Sequence, residues 1–150
     1  MKPVIILITV FAGALVAGRI FKGHYSPAAA GRIAMAAMLL FTAAGHFAFA
    51  KGMSMMLPAF VPARTALVYG TGILEIAAAV ALLIPALRLP AAWFLILFLA
   101  LLLPANIYAA VKQVDYQRAT FNGNGPSYLW FRVPLQLFFM AWVYLAAIKA

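Results

Sequence analysis

At 150 residues, with 68% hydrophobic and only 9% charged side chains, the chain has too little polar surface for a soluble domain and reads as one polytopic membrane bundle. A formal net charge of +9 would suggest nucleic acid in a soluble protein. Here Lys and Arg stand singly at the ends of apolar runs, where they anchor and orient helices, so nucleic acid is excluded as a partner. Zero cysteines rule out disulfides, thiolate metal sites and CxxC redox chemistry.

The first apolar stretch, 3–18, follows Lys2 and is followed by Arg19 and Lys22. Val16-Ala17-Gly18 is a tolerable leader-cleavage site, but two positive charges just beyond it fit the flank of a retained helix. The second stretch, 33–50, lies between Arg32 and Lys51. Both fall short of the roughly 20 residues that cross a hydrocarbon core and need their basic ends to snorkel. The segment Gly52 to Ala63 carries Met53, Met55, Met56, Pro58 and Pro62 and is expected to lie in the interface as a lid. Thioethers beside an imidazole suit Cu(I), yet methionines also fill irregular space, and no metal is assigned.

The third and fourth stretches, 66–87 and 89–111, are long enough to span and meet at a tight Arg88-Leu89-Pro90 turn. Lys112 to Ser127 is a loop, and Asn122-Gly123-Asn124-Gly125-Pro126 is strong turn chemistry that should project from the membrane. The fifth stretch is 128–148. Five spans place the two ends of the chain on opposite faces. Lys2, Lys51, Arg64, Lys112, Arg118 and Arg132 then fall on one face and Arg19, Lys22, Arg32, Arg88 and Lys149 on the other, a near-balance that does not orient the protein.

Function has to be sought in the few polar residues inside the spans. Glu75 is one of only two acids, in a run otherwise uncharged from Arg64 to Arg88. A carboxylate there is costly in hydrocarbon and has to face a partnered interior. At about 1.5 Å per residue, His46 and Asn106 lie roughly 8 Å deep, Gln136 about 12 Å and Glu75 about 13 Å, all measured from the same face. Met38, Thr42 and His46 line one stripe of the second helix, and Arg132 and Gln136 share a face of the fifth. Gly70 and Gly72 permit close approach of a neighbouring helix. These positions predict a polar pocket in one half of the bilayer, with Glu75 meeting Arg132 directly or through a ligand. The other half, Trp93 to Leu101 and Phe138 to Ala147, reads as apolar and structural.

Gly45-His46-Phe47, Val68-Tyr69-Gly70-Thr71-Gly72 with Glu75, Ala91-Ala92-Trp93, Pro104-Ala105-Asn106-Ile107-Tyr108 and Tyr128-Leu129-Trp130-Phe131-Arg132-Val133-Pro134-Leu135-Gln136 together resemble the DoxX-like family of small bacterial integral membrane proteins over residues 33–148. The resemblance implies an all-α integral membrane protein: a four-helix transmembrane bundle, to which this chain adds one N-terminal transmembrane helix. It also implies a bacterial cytoplasmic membrane with the Gly-His-Phe end facing outward and the C-terminus in the cytoplasm. Relatives are linked to thiosulfate and quinone oxidoreductase systems, and similar small bundles bind sterols or act as membrane chaperones.

The expected function is a one-sided intramembrane pocket for a small amphipathic ligand of lipid or quinone type. Its residues are His46, Tyr69, Glu75, Asn106, Tyr108, Trp130, Arg132 and Gln136. The alternatives are a membrane subunit of a quinone-linked oxidoreductase, with quinone as cofactor and a redox protein as partner, and a structural or chaperone protein without ligand. No P-loop, dinucleotide fingerprint or zinc-hydrolase motif is present, and only His46 with Glu75 can do acid–base work, so binding is favoured over catalysis.

Overall fold

The computed structural model describes residues 2–123 and 125–149, with the backbone alone for Tyr128. Five helices are long and apolar enough to cross a membrane, and together they form an all-α bundle. The first, α1 (Lys2–Lys22), runs four residues past the predicted end. It stops where Gly23, at φ 73°, takes the left-handed conformation and its N–H returns to the Arg19 carbonyl at 3.1 Å. Helix α2 (Pro27–Ala48) begins six residues before the predicted start, with Pro27 in its first turn, where a missing N–H costs nothing.

The residues that looked like a boundary, Gly31 and Arg32, are packing devices inside α2. A Cβ on Gly31 would sit 2.9 Å from the Ala146 Cβ, and Arg32 donates to the Ala146 carbonyl at 2.8 Å. A short helix, α3 (Ala50–Ser54), and a run of turns lead to α4 (Arg64–Leu83). The predicted end of that span at 87 is four residues too late, because Pro85 forces Ile84 into an extended conformation at ψ 118°. Helix α5 (Arg88–Val111) carries Pro104 within it. A short 3₁₀ turn, Pro126–Tyr128, opens α6 (Leu129–Val143), which continues as one wider π turn over Tyr144–Ile148.

Four helices close a ring: α2 packs on α4, α4 on α5, α5 on α6, and the last turn of α6 returns to α2. The additional helix α1 lies outside that ring against α2 and buries only Leu7 fully. The core between them is Met35, Leu39, Leu82, Leu95 and Val143. Interfaces are lined by small residues such as Ala34, Ala43, Gly72 and Ala79, as expected where helices associate by close packing rather than by escape from water.

The loop from Lys112 does not simply project. Asp115 and Thr120 pair across a two-bond bridge of 2.8 and 3.2 Å, and the Asp115 carboxylate accepts the backbone N–H groups of Gln117 and Arg118. Asn124, in the predicted turn, lies outside the described residues. The folded loop presses Tyr116 onto α3 so closely that a Cβ on Gly52 would lie 1.7 Å from the Tyr116 carbonyl oxygen, and Phe49 meets the Tyr116 ring edge-on at 5.9 Å. The expected lid is therefore docked at its start, Ala50–Ser54, and irregular from there to Ala63.

Candidate functional site

Polar side chains are buried in two groups, both in the half of the bundle predicted from sequence. The first joins α2 and α4. Glu75 is only 4% exposed, and its Oε2 lies 3.0 Å from Thr42 Oγ1 and 3.4 Å from His46 Nδ1. Thr42 and His46 are one helical turn apart on α2, so both reach the same point on α4. Gly72, one turn before Glu75, brings α4 close: a Cβ there would sit 3.0 Å from the His46 Cβ and 3.2 Å from the Phe47 ring. Gly70, expected to act alike, faces open space.

Hydrogen-bond arithmetic limits the protonation of this group. His46 Nδ1 is 2.8 Å from the Thr42 carbonyl, which can only accept, so the proton of the neutral ring is on Nδ1. Nε2 then keeps a lone pair, and no described residue is bonded to it. Thr42 Oγ1 is 3.0 Å from both the Leu39 carbonyl and Glu75 Oε2, yet a hydroxyl has one proton. Two arrangements reconcile the Thr42 and Glu75 contacts, both leaving His46 Nε2 without a described partner. Thr42 donates to a charged Glu75, with protonated His46 as its counter-ion; or a protonated Glu75 donates to Thr42, Thr42 donates to Leu39, and His46 is neutral. The two differ by one proton passing between Glu75 and the imidazole.

The second group joins α5 and α6. Asn106 and Gln136 are 8% and 7% exposed. Asn106 Nδ2 donates to Gln136 Oε1 at 3.3 Å, and Gln136 Nε2 donates to the Leu99 carbonyl at 2.5 Å. Pro104 lies within α5 and removes the N–H partner of the Ala100 carbonyl, one residue beyond the carbonyl that Gln136 meets. The amide groups close on each other and on backbone, and they brace two helices.

The ion pair expected between Glu75 and Arg132 is not among the described ion pairs, which join Glu75 to His46 and Asp115 to Arg118. The ring geometry is the reason: α4 packs on α2 and α5, and α6 lies across the bundle from it. Arg132 is half-buried and has a partner of its own. The remaining predicted residues do not join either group. Tyr69 faces outward on α4 and stacks on Phe47 at 5.7 Å, Tyr108 is half-buried near the end of α5, and Trp130 is 86% exposed on the wall of an apolar groove of about 410 Å³ with Leu129, Val133 and Pro134.

Sequence reasoning passed over two members. Thr42 was placed on the right stripe without a role, although a hydroxyl one turn before a histidine signals a shared contact. The Leu99 carbonyl carries no sequence signal, since Pro104 marks the carbonyl of Ala100 instead. Among the described residues no three His, Cys, Asp or Glu side chains gather to hold a metal. The side of His46 next to Gly45 is covered by Met53, whose Cε lies 3.6 Å from where a Gly45 Cβ would be.

The family model described as Domain of unknown function (DUF8561) matches residues 35–147, about three quarters of the chain. No curated protein and no solved structure matches it.

Proposed function

The chain belongs to the DUF8561 family, and we propose that it is a membrane protein that binds the polar head of a small amphipathic ligand, of lipid or quinone type, at the Thr42–His46–Glu75 group. One observation carries the reading: a carboxyl, a hydroxyl and an imidazole whose Nε2 has no described partner meet at one buried point, whereas Asn106 and Gln136 are neutral amides bonded to each other and to backbone. Nε2 of the neutral ring is an acceptor that suits a ligand hydroxyl. The irregular segment 55–63, which follows the docked α3, is the part of the expected lid that could give way to admit the head. The resemblance to DoxX-like bundles supports this assignment and, with it, a place in a bacterial cytoplasmic membrane.

A second reading, a membrane subunit of a quinone-linked oxidoreductase, draws on the two proton arrangements between Glu75 and His46, because a quinol losing its proton to Nε2 needs an onward acceptor. Lipid extraction and native mass spectrometry of the purified protein test both. We expect His46→Ala to retain one lipid or quinone fewer per chain than the wild type, with a quinone favouring the second reading. Absence of any retained molecule, or equal retention by His46→Ala, overturns the proposal and leaves a structural role.

A further inference from the structure

The opposite half of the bundle presents the converse problem, positive charge without acid. The chain has only two acids: Glu75 is paired with His46, and Asp115 sits in the loop beside Arg118. Both belong to the other half. At the end where α2 and α5 begin, Arg32 is half-buried and held in place by its bond to the Ala146 carbonyl. That bond satisfies one N–H of a guanidinium that has five, and a neutral carbonyl does nothing for its charge. Arg88, the first residue of α5, adds a second arginine at the same end. Lys22 and Lys149 add exposed positive charge at the same end.

Next to Arg32 runs an apolar groove of about 460 Å³ between α1, α2 and the end of α6, lined by Phe11, Gly31, Trp142, Leu145 and Ala146. Its potential donor is already used, since Trp142 Nε1 donates to the Gly31 carbonyl at 3.0 Å. Phe11 meets the Trp142 ring edge-on at 5.0 Å and forms the wall on the α1 side. Residue 11 lies on α1, outside the matched residues 35–147, so α1 supplies one wall of the groove. Two arginines at one end of the bundle, one of them held by a backbone carbonyl and neither paired with an acid among the described residues, beside a dry groove, have the chemistry to meet a phosphodiester with an acyl chain attached.

We propose that this groove is a binding site for an anionic phospholipid, with the phosphate at Arg32 and Arg88 and one acyl chain between α1 and α6. A zwitterionic lipid is disfavoured because its ammonium group brings a further positive charge to the same point. The site is independent of the His46 group and occupies the other leaflet.

The test is native mass spectrometry of the full chain released from mixed micelles holding equal amounts of phosphatidylglycerol and phosphatidylcholine. The wild type should retain phosphatidylglycerol preferentially. Arg88→Gln, which leaves the Arg32–Ala146 bond intact, should cut that preference about fivefold, near the value of one basic residue at an anionic surface. Arg32→Gln should remove the rest, and Arg64→Gln at the far face should change nothing. Equal retention of the two lipids by the wild type, or a preference unaltered in Arg88→Gln, overturns the proposal, and a loss in Arg64→Gln as large as in Arg88→Gln does so too by reducing the effect to net charge.

Discussion

The two buried polar groups share one half of the bundle but differ in how their atoms are satisfied. Between α5 and α6, two neutral amides bond each other and a backbone carbonyl. Between α2 and α4, a carboxyl, a hydroxyl and an imidazole meet, and one hydroxyl proton faces two acceptors. Burial alone therefore does not distinguish a brace from a site. What distinguishes them is chemistry: only the second group can exchange a proton.

The comparison breaks most readily at the brace. Gln136→Leu leaves Asn106 without its acceptor and should cost about 1–3 kcal/mol of stability, read as a fall in thermal midpoint in detergent. Adding Asn106→Leu should recover part of the loss, since the amide of Asn106 is then gone and only the Leu99 carbonyl has lost a donor. Ligand retention should be unchanged in both. If Gln136→Leu strips the ligand while keeping its thermal midpoint, the groups have been assigned the wrong way round.

A close second is the contact that builds the open group. Gly72→Ala drives a Cβ to 3.0 Å from His46 and should cost on the order of 1–3 kcal/mol while disturbing ligand retention. Gly70→Ala meets nothing within 4 Å and should be neutral or slightly stabilising, by up to about 1 kcal/mol. Equal effects at the two glycines would mean that α4 does not present Gly72 to α2.

Coupling sharpens the identity of the partner. In double-mutant cycles on thermal stability, Glu75→Gln with His46→Gln should deviate from additivity by about 0.5–3 kcal/mol, and Glu75→Gln with Arg132→Met should add within roughly 0.5 kcal/mol. The reverse pattern would restore the pairing expected from depth alone. The smallest effect concerns access. Hydrogen exchange should be slow at 50–54, where Gly52 is clamped by Tyr116, and faster at 55–63 than at 93–101. Uniform protection across 50–63 would argue that nothing opens above His46.

Composition and apolar run length were enough to specify a membrane-spanning all-α bundle, because in hydrocarbon every backbone group has to be satisfied within its own segment. The five spans, and the half of the bundle that holds His46, Glu75, Asn106 and Gln136, follow from the same reasoning plus helical rise. The helix ends at Gly23, Pro27 and Pro85 were placed four to six residues off although each is set by its own chain, and Gly31 and Arg32 were misread as a boundary because their roles exist only against Ala146 on a helix more than a hundred residues away. Partner choice was not legible at all. Depth put Arg132 and Glu75 at comparable levels, but the ring order of helices put His46 and Thr42 on the adjacent helix and Arg132 across the bundle. A sequence determines how deep a residue lies along its own helix, and only packing decides which neighbour it faces, because the azimuth of each helix is set by the small residues of the others.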